Sequence, residues 1–430
     1  MSALPAIEAS VAAHLRAAAR RRATPFYATD PVALARAAGA VRDAFPDPWL
    51  RHYSVKANDT PAVIAAVAAH GFGANVVSRG EWASATRAGV LDAAITLEGI
   101  GKTTADLRAA VRAAADGHPL RWVALESPEE AAALAALAAA AGVRLDVLYR
   151  LNPDVVPETQ PGLAVGSGAA KFGMTETEIG AAIAAGGGPD GPLRPRGVHL
   201  HVGSQLGAVD AWRDAVRKGL ALTALWRGTI ATFDTLDVGG GFPVAPAGQP
   251  VPTPERFARE LPALLDAIPP DRRPDRLAIE PGRVLVARAG WIVARVLHAR
   301  ERGGRLVIID AGMTELIRPA LYGARHPIIA LAEAGGETMA GTGADAGGET
   351  MAGAGGETMA GTDADAARDI APTRVEGPIC ESTDSLGIHD LPPLRRGDLV
   401  AIADAGAYAA SQRSSYNGRP RPAHVLLPER

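Results

Sequence analysis

The sequence predicts an α/β fold: a (β/α)8 barrel joined to a C-terminal β-rich domain. Three observations carry the architecture. Eight short strand-like runs alternate with alanine-rich segments between Trp49 and Arg283. Polar residues stand at the ends of several of these runs, where a barrel gathers its reacting groups. The chain has 430 residues, too many for one compact core, so a second domain is expected.

The strand candidates are Leu50–Val55, Ala74–Val77, Ala94–Leu97, Trp122–Leu125, Asp146–Leu151, Gly197–Val202, Thr235–Val238 and Leu277–Ile279. Helix candidates between them include Pro61–His70, Ser127–Ala141, Asp210–Trp226 and Pro254–Ala267. Regular alternation implies a parallel sheet with helices outside. Eight such units suit a barrel of ~250 residues. An open doubly wound sheet gives the same alternation, because sequence does not show closure. Thr24–Ala28, before the barrel, reads as a strand, and so do Trp291–Leu297, Arg305–Ile309 and Leu399–Ala403 after it. No long helices separate these. The expected division is a barrel over 30–285, with 1–29 and 286–430 forming the β-rich domain.

One segment breaks the pattern. The octapeptide AGGETMAG stands at Ala334–Gly341, Ala346–Gly353 and Ala354–Gly361. The stretch from about 332 to 368 has almost no large apolar residues besides Met339, Met351 and Met359. It buries too little to offset its ordering entropy, so a disordered, non-catalytic insert is expected.

Composition narrows the function. A net charge of −3 gives no basic face for nucleic acid. One cysteine precludes an internal disulfide and suits a reducing compartment. The alanine- and arginine-rich start lacks the apolar centre of a signal peptide, and no stretch is long and apolar enough to span a bilayer. The expectation is a cytoplasmic protein without nucleic-acid or membrane partners.

The strand ends supply the chemistry. Lys56, in Tyr53-Ser54-Val55-Lys56-Ala57-Asn58, ends the first. A lysine in a partly dry site can form a Schiff base with an aldehyde cofactor. His201 ends the sixth, with Ser204 just beyond, and Gly239-Gly240-Gly241 follows the seventh. Glu280-Pro281-Gly282-Arg283 ends the eighth. Each alone has an ordinary explanation, as a flexible turn, a locally bonded histidine or solvated charges. Together, at one rim, they suggest pyridoxal phosphate. That cofactor needs a lysine, a phosphate cradle and a partner for its pyridine nitrogen. The glycines let backbone N–H groups approach a phosphate, Ser204 adds a hydroxyl, Glu280 suits the ring nitrogen, and His201 suits the ring face. No G-x-G-x-x-G opens a helix after a strand, which disfavours a nicotinamide site. No metal site is expected.

The later part adds a second cluster. Cys380-Glu381-Ser382-Thr383-Asp384 holds the sole cysteine among acids, which suits a proton donor better than a nucleophile. Arg318 and Tyr322, four apart, suit a carboxylate clamp, and Tyr408 follows in Asp404-Ala405-Gly406-Ala407-Tyr408.

The ordered runs YSVKAN, HVGSQ, DVGGGFP, EPGR, CESTD, GAY and YNGRPRP resemble bacterial diaminopimelate decarboxylases of the alanine-racemase-like fold. The resemblance covers nearly the whole chain outside the repeats. It implies pyridoxal phosphate as cofactor and a homodimer with active sites at the subunit interface. By position it makes Lys56 the Schiff-base lysine and His201 the ring-stacking residue. Ser204, Gly240, Gly241, Glu280, Gly282 and Arg283 would belong to the cofactor site. Arg283, Arg318 and Tyr322 would hold the distal carboxylate of the substrate, and Glu381 its distal ammonium. Tyr408 would touch cofactor and substrate. Cys380 would donate a proton, reaching the site from the other subunit. The implied reaction is decarboxylation of meso-2,6-diaminopimelate to L-lysine. The chain departs from the family at Asn75, commonly Asp, at Arg79 and Thr383, both often Gly, and at Gln160, often His. The Asn75 change is expected to weaken electrostatic support for Lys56.

Competing readings stay on the same fold. A decarboxylase of ornithine, lysine or arginine would place acids where Arg318 stands. A racemase would favour a cation opposite the ring nitrogen, where Glu280 stands. A non-catalytic cofactor carrier would have no use for Cys380 and Tyr408. A decarboxylase of a carrier-linked amino acid remains the alternative that these residues do not separate.

Overall fold

A computed structural model of the chain describes residues 7–168, 170–245, 249–331 and 369–428. The repeat segment lies outside the described residues. Sixteen strands are described: β1 Phe26–Thr29, β2 Leu50–Ser54, β3 Gly73–Val76, β4 Ile95–Leu97, β5 Trp122–Leu125, β6 Leu145–Arg150, β7 Leu193–His199, β8 Thr235–Asp237, β9 Arg276–Ile279, β10 Gly290–Glu301, β11 Arg305–Ile309, β12 Ile328–Ala330, β13 Ala371–Glu376, β14 Ser385–Leu391, β15 Leu399–Ile402 and β16 Ala423–Leu426.

Strands β2 to β9 form a closed parallel barrel, which removes the open-sheet alternative. Closure is made by Leu50 and Arg51 of β2 pairing with Ala278 and Ile279 of β9. All eight sequence candidates overlap these strands. The sixth is displaced: β7 begins at Leu193 and stops at His199, so His201 lies two residues past the strand rather than at its end.

The outer helices are built from local signals. In Pro128–Ala141, Ser127 accepts a hydrogen bond from the Glu130 N–H, Pro128 opens the first turn, and Gly142 closes the last in the left-handed region. The expected helix Pro254–Ala267 is two pieces, Pro254–Ala258 and Leu261–Asp266. Pro262 lacks an N–H and sits in the first turn of the second piece, so the first cannot run through it. Leu34, Val41, Val63, Val67, Leu134 and Leu220 on such helices are buried in the cluster that encloses the barrel. Burying each leucine or valine contributes about 1.5–3 kcal/mol.

The second sheet has eight strands, in the order β12-β15-β10-β11-β13-β14, with β1 paired to β10 and β16 paired to β1. It is mixed: β1 runs antiparallel to β10 and parallel to β16, and β11 runs parallel to β13. The strand before the barrel is therefore completed by the strands after it. The helix Ala9–Arg21 was not expected from the sequence. It buries Val11, Leu15 and Ala19 against Phe26, Val293, Ala401 and Leu427 of this sheet. Among the described residues, no helix is long and apolar enough to cross a membrane.

Candidate active site

At the C-terminal rim of the barrel, Ser54, Lys56, His201, Ser204, Gly241, Glu280, Gly282, Arg283, Arg318, Tyr322 and Tyr408 line one cavity of about 200 Å³. Eleven residues from strand ends, loops and two short helices, Arg283–Val286 and Arg318–Tyr322, thus share one space.

Lys56 sits in a 3-10 turn, Val55–Ala57, that follows β2. Its neighbours Val55 and Ala57 are fully buried, so the turn is anchored and the lysine faces the cavity. The Ser54 N–H donates to the carbonyl of Pro281 over 3.0 Å, and the Ser54 hydroxyl to that of Glu280 over 3.2 Å. These bonds fix the end of β2 to the Glu280-Pro281-Gly282-Arg283 loop. From the other side, the Ser411 hydroxyl donates to the Lys56 carbonyl over 2.9 Å, and the Asn58 amide to that of Gly406 over 3.0 Å.

Gly240 lies so close to the β9 loop that a Cβ on it would stand 2.3 Å from the Glu280 carbonyl oxygen. Only glycine brings the backbone this near. The Gly240 N–H donates weakly to Nδ1 of His201 over 3.4 Å, which places any ring proton of neutral His201 on Nε2. Burial and the Lys56 cation hold His201 well below its ordinary pKa.

The far side of the cavity is cationic. The Arg283 guanidinium lies 4.6 Å from the centre of the Tyr408 ring and donates to the Ser204 hydroxyl over 3.0 Å. Arg318 lies 5.9 Å from the same ring and 5.5 Å from that of Tyr322. Burial, then the Arg283 charge, bring the Arg318 pKa down to about 10. Among the described residues, neither arginine has a carboxylate partner. Two buried guanidinium groups without a counter-ion make a site for an anionic group.

The inner wall is acidic. Glu280, just past β9, has its Oε1 buried with no hydrogen-bond partner. His199 Nε2 stands 3.5 Å from Glu280 and 3.4 Å from Glu98. Asn75 donates its side-chain amide to Glu98 over 2.7 Å. Asn75 therefore does not leave its surroundings without a carboxyl group: Glu98, from the end of the next strand, supplies one. Arg79 lies elsewhere, paired with Asp106 at 3.1 Å. Gln160 donates to the Tyr322 carbonyl over 2.7 Å.

Cys380 and Glu381 are not among the cavity residues of this chain. Cys380 is exposed and receives a 3.4 Å hydrogen bond from the Asn417 amide, while Tyr416 donates to Glu381 over 2.6 Å. Thr383 donates to Glu381 over 3.3 Å. The sequence reading named neither Glu98 nor His199, although both stand at strand ends, as Glu280 does.

The sequence profile described as "Pyridoxal-dependent decarboxylase, pyridoxal binding domain" matches residues 33–287. The diaminopimelate decarboxylase of Archaeoglobus fulgidus is 31% identical over 413 residues, covering 95% of this chain and 88% of that protein. That of Deinococcus radiodurans is 33% identical over 414 residues, covering 96% and 92%. This chain belongs to the diaminopimelate decarboxylase family of pyridoxal-dependent decarboxylases. Among solved structures of the family, diaminopimelate decarboxylase from Helicobacter pylori complexed with L-lysine matches with a TM-score of 0.80 and 27% identity, covering 96% of this chain and 94% of that one. A lysine/ornithine decarboxylase from Vibrio vulnificus, 21% identical with a TM-score of 0.76, shares the fold.

The cofactor of this family is pyridoxal phosphate, and the cavity fits it. The unpartnered, buried Oε1 of Glu280 can accept from a ring N–H. The Arg283 guanidinium and the Ser204 hydroxyl, both on the cavity wall with Gly241 and Gly282, suit an anionic group. Lys56 faces both.

Proposed function

We propose that this chain decarboxylates meso-2,6-diaminopimelate to L-lysine and carbon dioxide, the last step of lysine biosynthesis. The observation that supports this most is the pair of buried guanidinium groups, Arg283 and Arg318, facing the Lys56 cavity with no carboxylate of their own. A substrate with a second carboxylate supplies the missing counter-ion. Ornithine, lysine and arginine present a cation there and would meet like charge.

Bound pyridoxal phosphate supplies an aldehyde that links to amines and a ring that takes up the electron pair left by the departing carboxylate. Lys56 would hold its aldehyde carbon, and His201 its ring face. Gly240, Gly241, Gly282 and Ser204 would cradle the phosphate, with Arg283 and Tyr408 nearby. Glu280 would keep the ring nitrogen protonated. Arg283, Arg318 and Tyr322 would hold the distal carboxylate, so that the opposite end of the substrate faces Lys56. The thiol of Cys380 would deliver a proton to the α-carbon, and Glu381 would receive the distal ammonium.

Cys380 and Glu381 stand outside the cavity of their own chain, which supports a homodimer whose active sites are shared between subunits. The working compartment is proposed to be the cytoplasm, where the lone thiol stays reduced. The test is product analysis: cofactor-loaded protein given meso-diaminopimelate should yield L-lysine. D-lysine as product, or unchanged substrate, would exclude the reading.

A further inference from the structure

Three carboxyl groups converge inside the barrel beneath the cavity. Glu98 follows β4, Asp237 ends β8 and Glu280 follows β9, and all three are buried. His199, at the end of β7, stands between two of them, 3.4 Å from Glu98 and 3.5 Å from Glu280. One side-chain nitrogen or oxygen each of Glu98, His199 and Glu280 lies within 4.8 Å of the other two. The charges facing Glu98 are few. Lys56 is the cation on the β2 side, while Arg150 is taken up by Glu126 at 2.6 Å. His199 is held down to about 4 by burial, so it is neutral at neutral pH.

One lysine cannot balance three buried acids, and two carboxyl groups with oxygens within 4.8 Å of each other can bond to each other only when one carries a proton. The Asn75 amide fills Oε2 of Glu98 from β3 over 2.7 Å, while Glu98 Oε1 and Glu280 Oε1 are buried without partners. We propose that Glu98 is a positioning residue for the pyridoxal-dependent reaction: a proton-bearing carboxyl group, held by Asn75, that hydrogen-bonds Glu280 and fixes it toward the ring nitrogen of the cofactor. Burial, the Glu280 charge and the bond between the two groups raise the Glu98 pKa to about 8, whereas His199 and Lys56 oppose this. Asp237 is also held well above the ordinary range, chiefly by burial, and its Oδ1 accepts from the Gly239 N–H over 2.9 Å. The inference rests on the cofactor reading of Glu280, and not on which amino acid is decarboxylated.

A raised carboxyl pKa stabilises the fold below the unfolded-state value near 4.5, and that contribution is lost as pH rises through about 8. Glu98→Gln keeps an amide donor toward Glu280 and removes the titration. The loaded protein should therefore show a protonated-carboxyl C=O band in infrared difference spectra at neutral pH that is lost as pH rises above the ordinary carboxylate range. Glu98→Gln should lack this band, keep its cofactor, and lose the part of the wild-type fall in melting temperature over that interval. Glu98→Ala, with no donor, should raise the dissociation constant of pyridoxal phosphate about tenfold. Asn75→Asp should move the titration to higher pH, because it sets another acid against Glu98. Its response also keeps the test open if Glu98→Gln does not fold. An infrared band and melting slope unchanged in Glu98→Gln, an unmoved titration in Asn75→Asp, or one equivalent of tightly bound divalent metal would overturn the proposal. None of these readouts depends on turnover, so loaded protein that titrates in this way but yields no lysine refutes only the assigned substrate.

Discussion

Tyr408 donates its backbone N–H to the carbonyl of Ala57 over 2.7 Å, tying a loop of the second domain to the turn that carries Lys56. The same loop is pressed against the barrel at Gly406, where an added Cβ would lie 1.7 Å from the Val286 carbonyl oxygen. That neighbour is backbone and cannot swing aside. Gly406→Ala should destabilise the protein by about 1–3 kcal/mol and loosen the Lys56 turn. Melting curves and cofactor content after dialysis would check this, and wild-type values for both would contradict it.

Lys56→Ala should abolish the visible absorption of bound cofactor and reduce turnover to background. Burial of Val55 and Ala57 on either side keeps the fold intact, so circular dichroism should be unchanged. An unaltered absorption spectrum would remove Lys56 from its assigned role.

Arg318→Ala should lower kcat/KM for diaminopimelate by about 10²-fold, since it leaves one end of a buried charge pair unmatched. The loss should lie mainly in KM, because Arg318 is placed at the distal end of the substrate. Steady-state kinetics separate the two parameters. An effect confined to kcat would place Arg318 at the reacting carbon instead.

Cys380→Ala should slow turnover while the cofactor stays bound. Mixing unfolded Cys380→Ala and Lys56→Ala chains and refolding them together should recover roughly a quarter of wild-type activity, if a dimer shares its sites across subunits. Half of such dimers are mixed, and each mixed dimer has one site with both wild-type residues. No recovery would place Cys380 in its own chain's site or outside the reaction.

The barrel was legible because short strand-like runs recur between alanine-rich helices, several with proline or serine starts. The second domain was less so. β13 and β14 carry exposed polar residues and a glycine, and β12 has only three residues, so their periodicity is faint. The helix Ala9–Arg21 was hidden in an alanine- and arginine-rich start whose buried stripe is narrow. Lys56, His201 and Glu280 stood out as polar residues where strands end, and Arg318 by its spacing from Tyr322. Glu98 did not, although it obeys the same rule. Its significance comes from Asn75, His199 and Glu280, which lie on other strands and meet only when the barrel closes.

The most direct measurement is carbon dioxide release by the loaded protein from diaminopimelate, lysine, ornithine and arginine under identical conditions. The arginine pair opposite Lys56 calls for diaminopimelate to be turned over with by far the highest kcat/KM. Preference for any of the three substrates that lack a second carboxylate would contradict it.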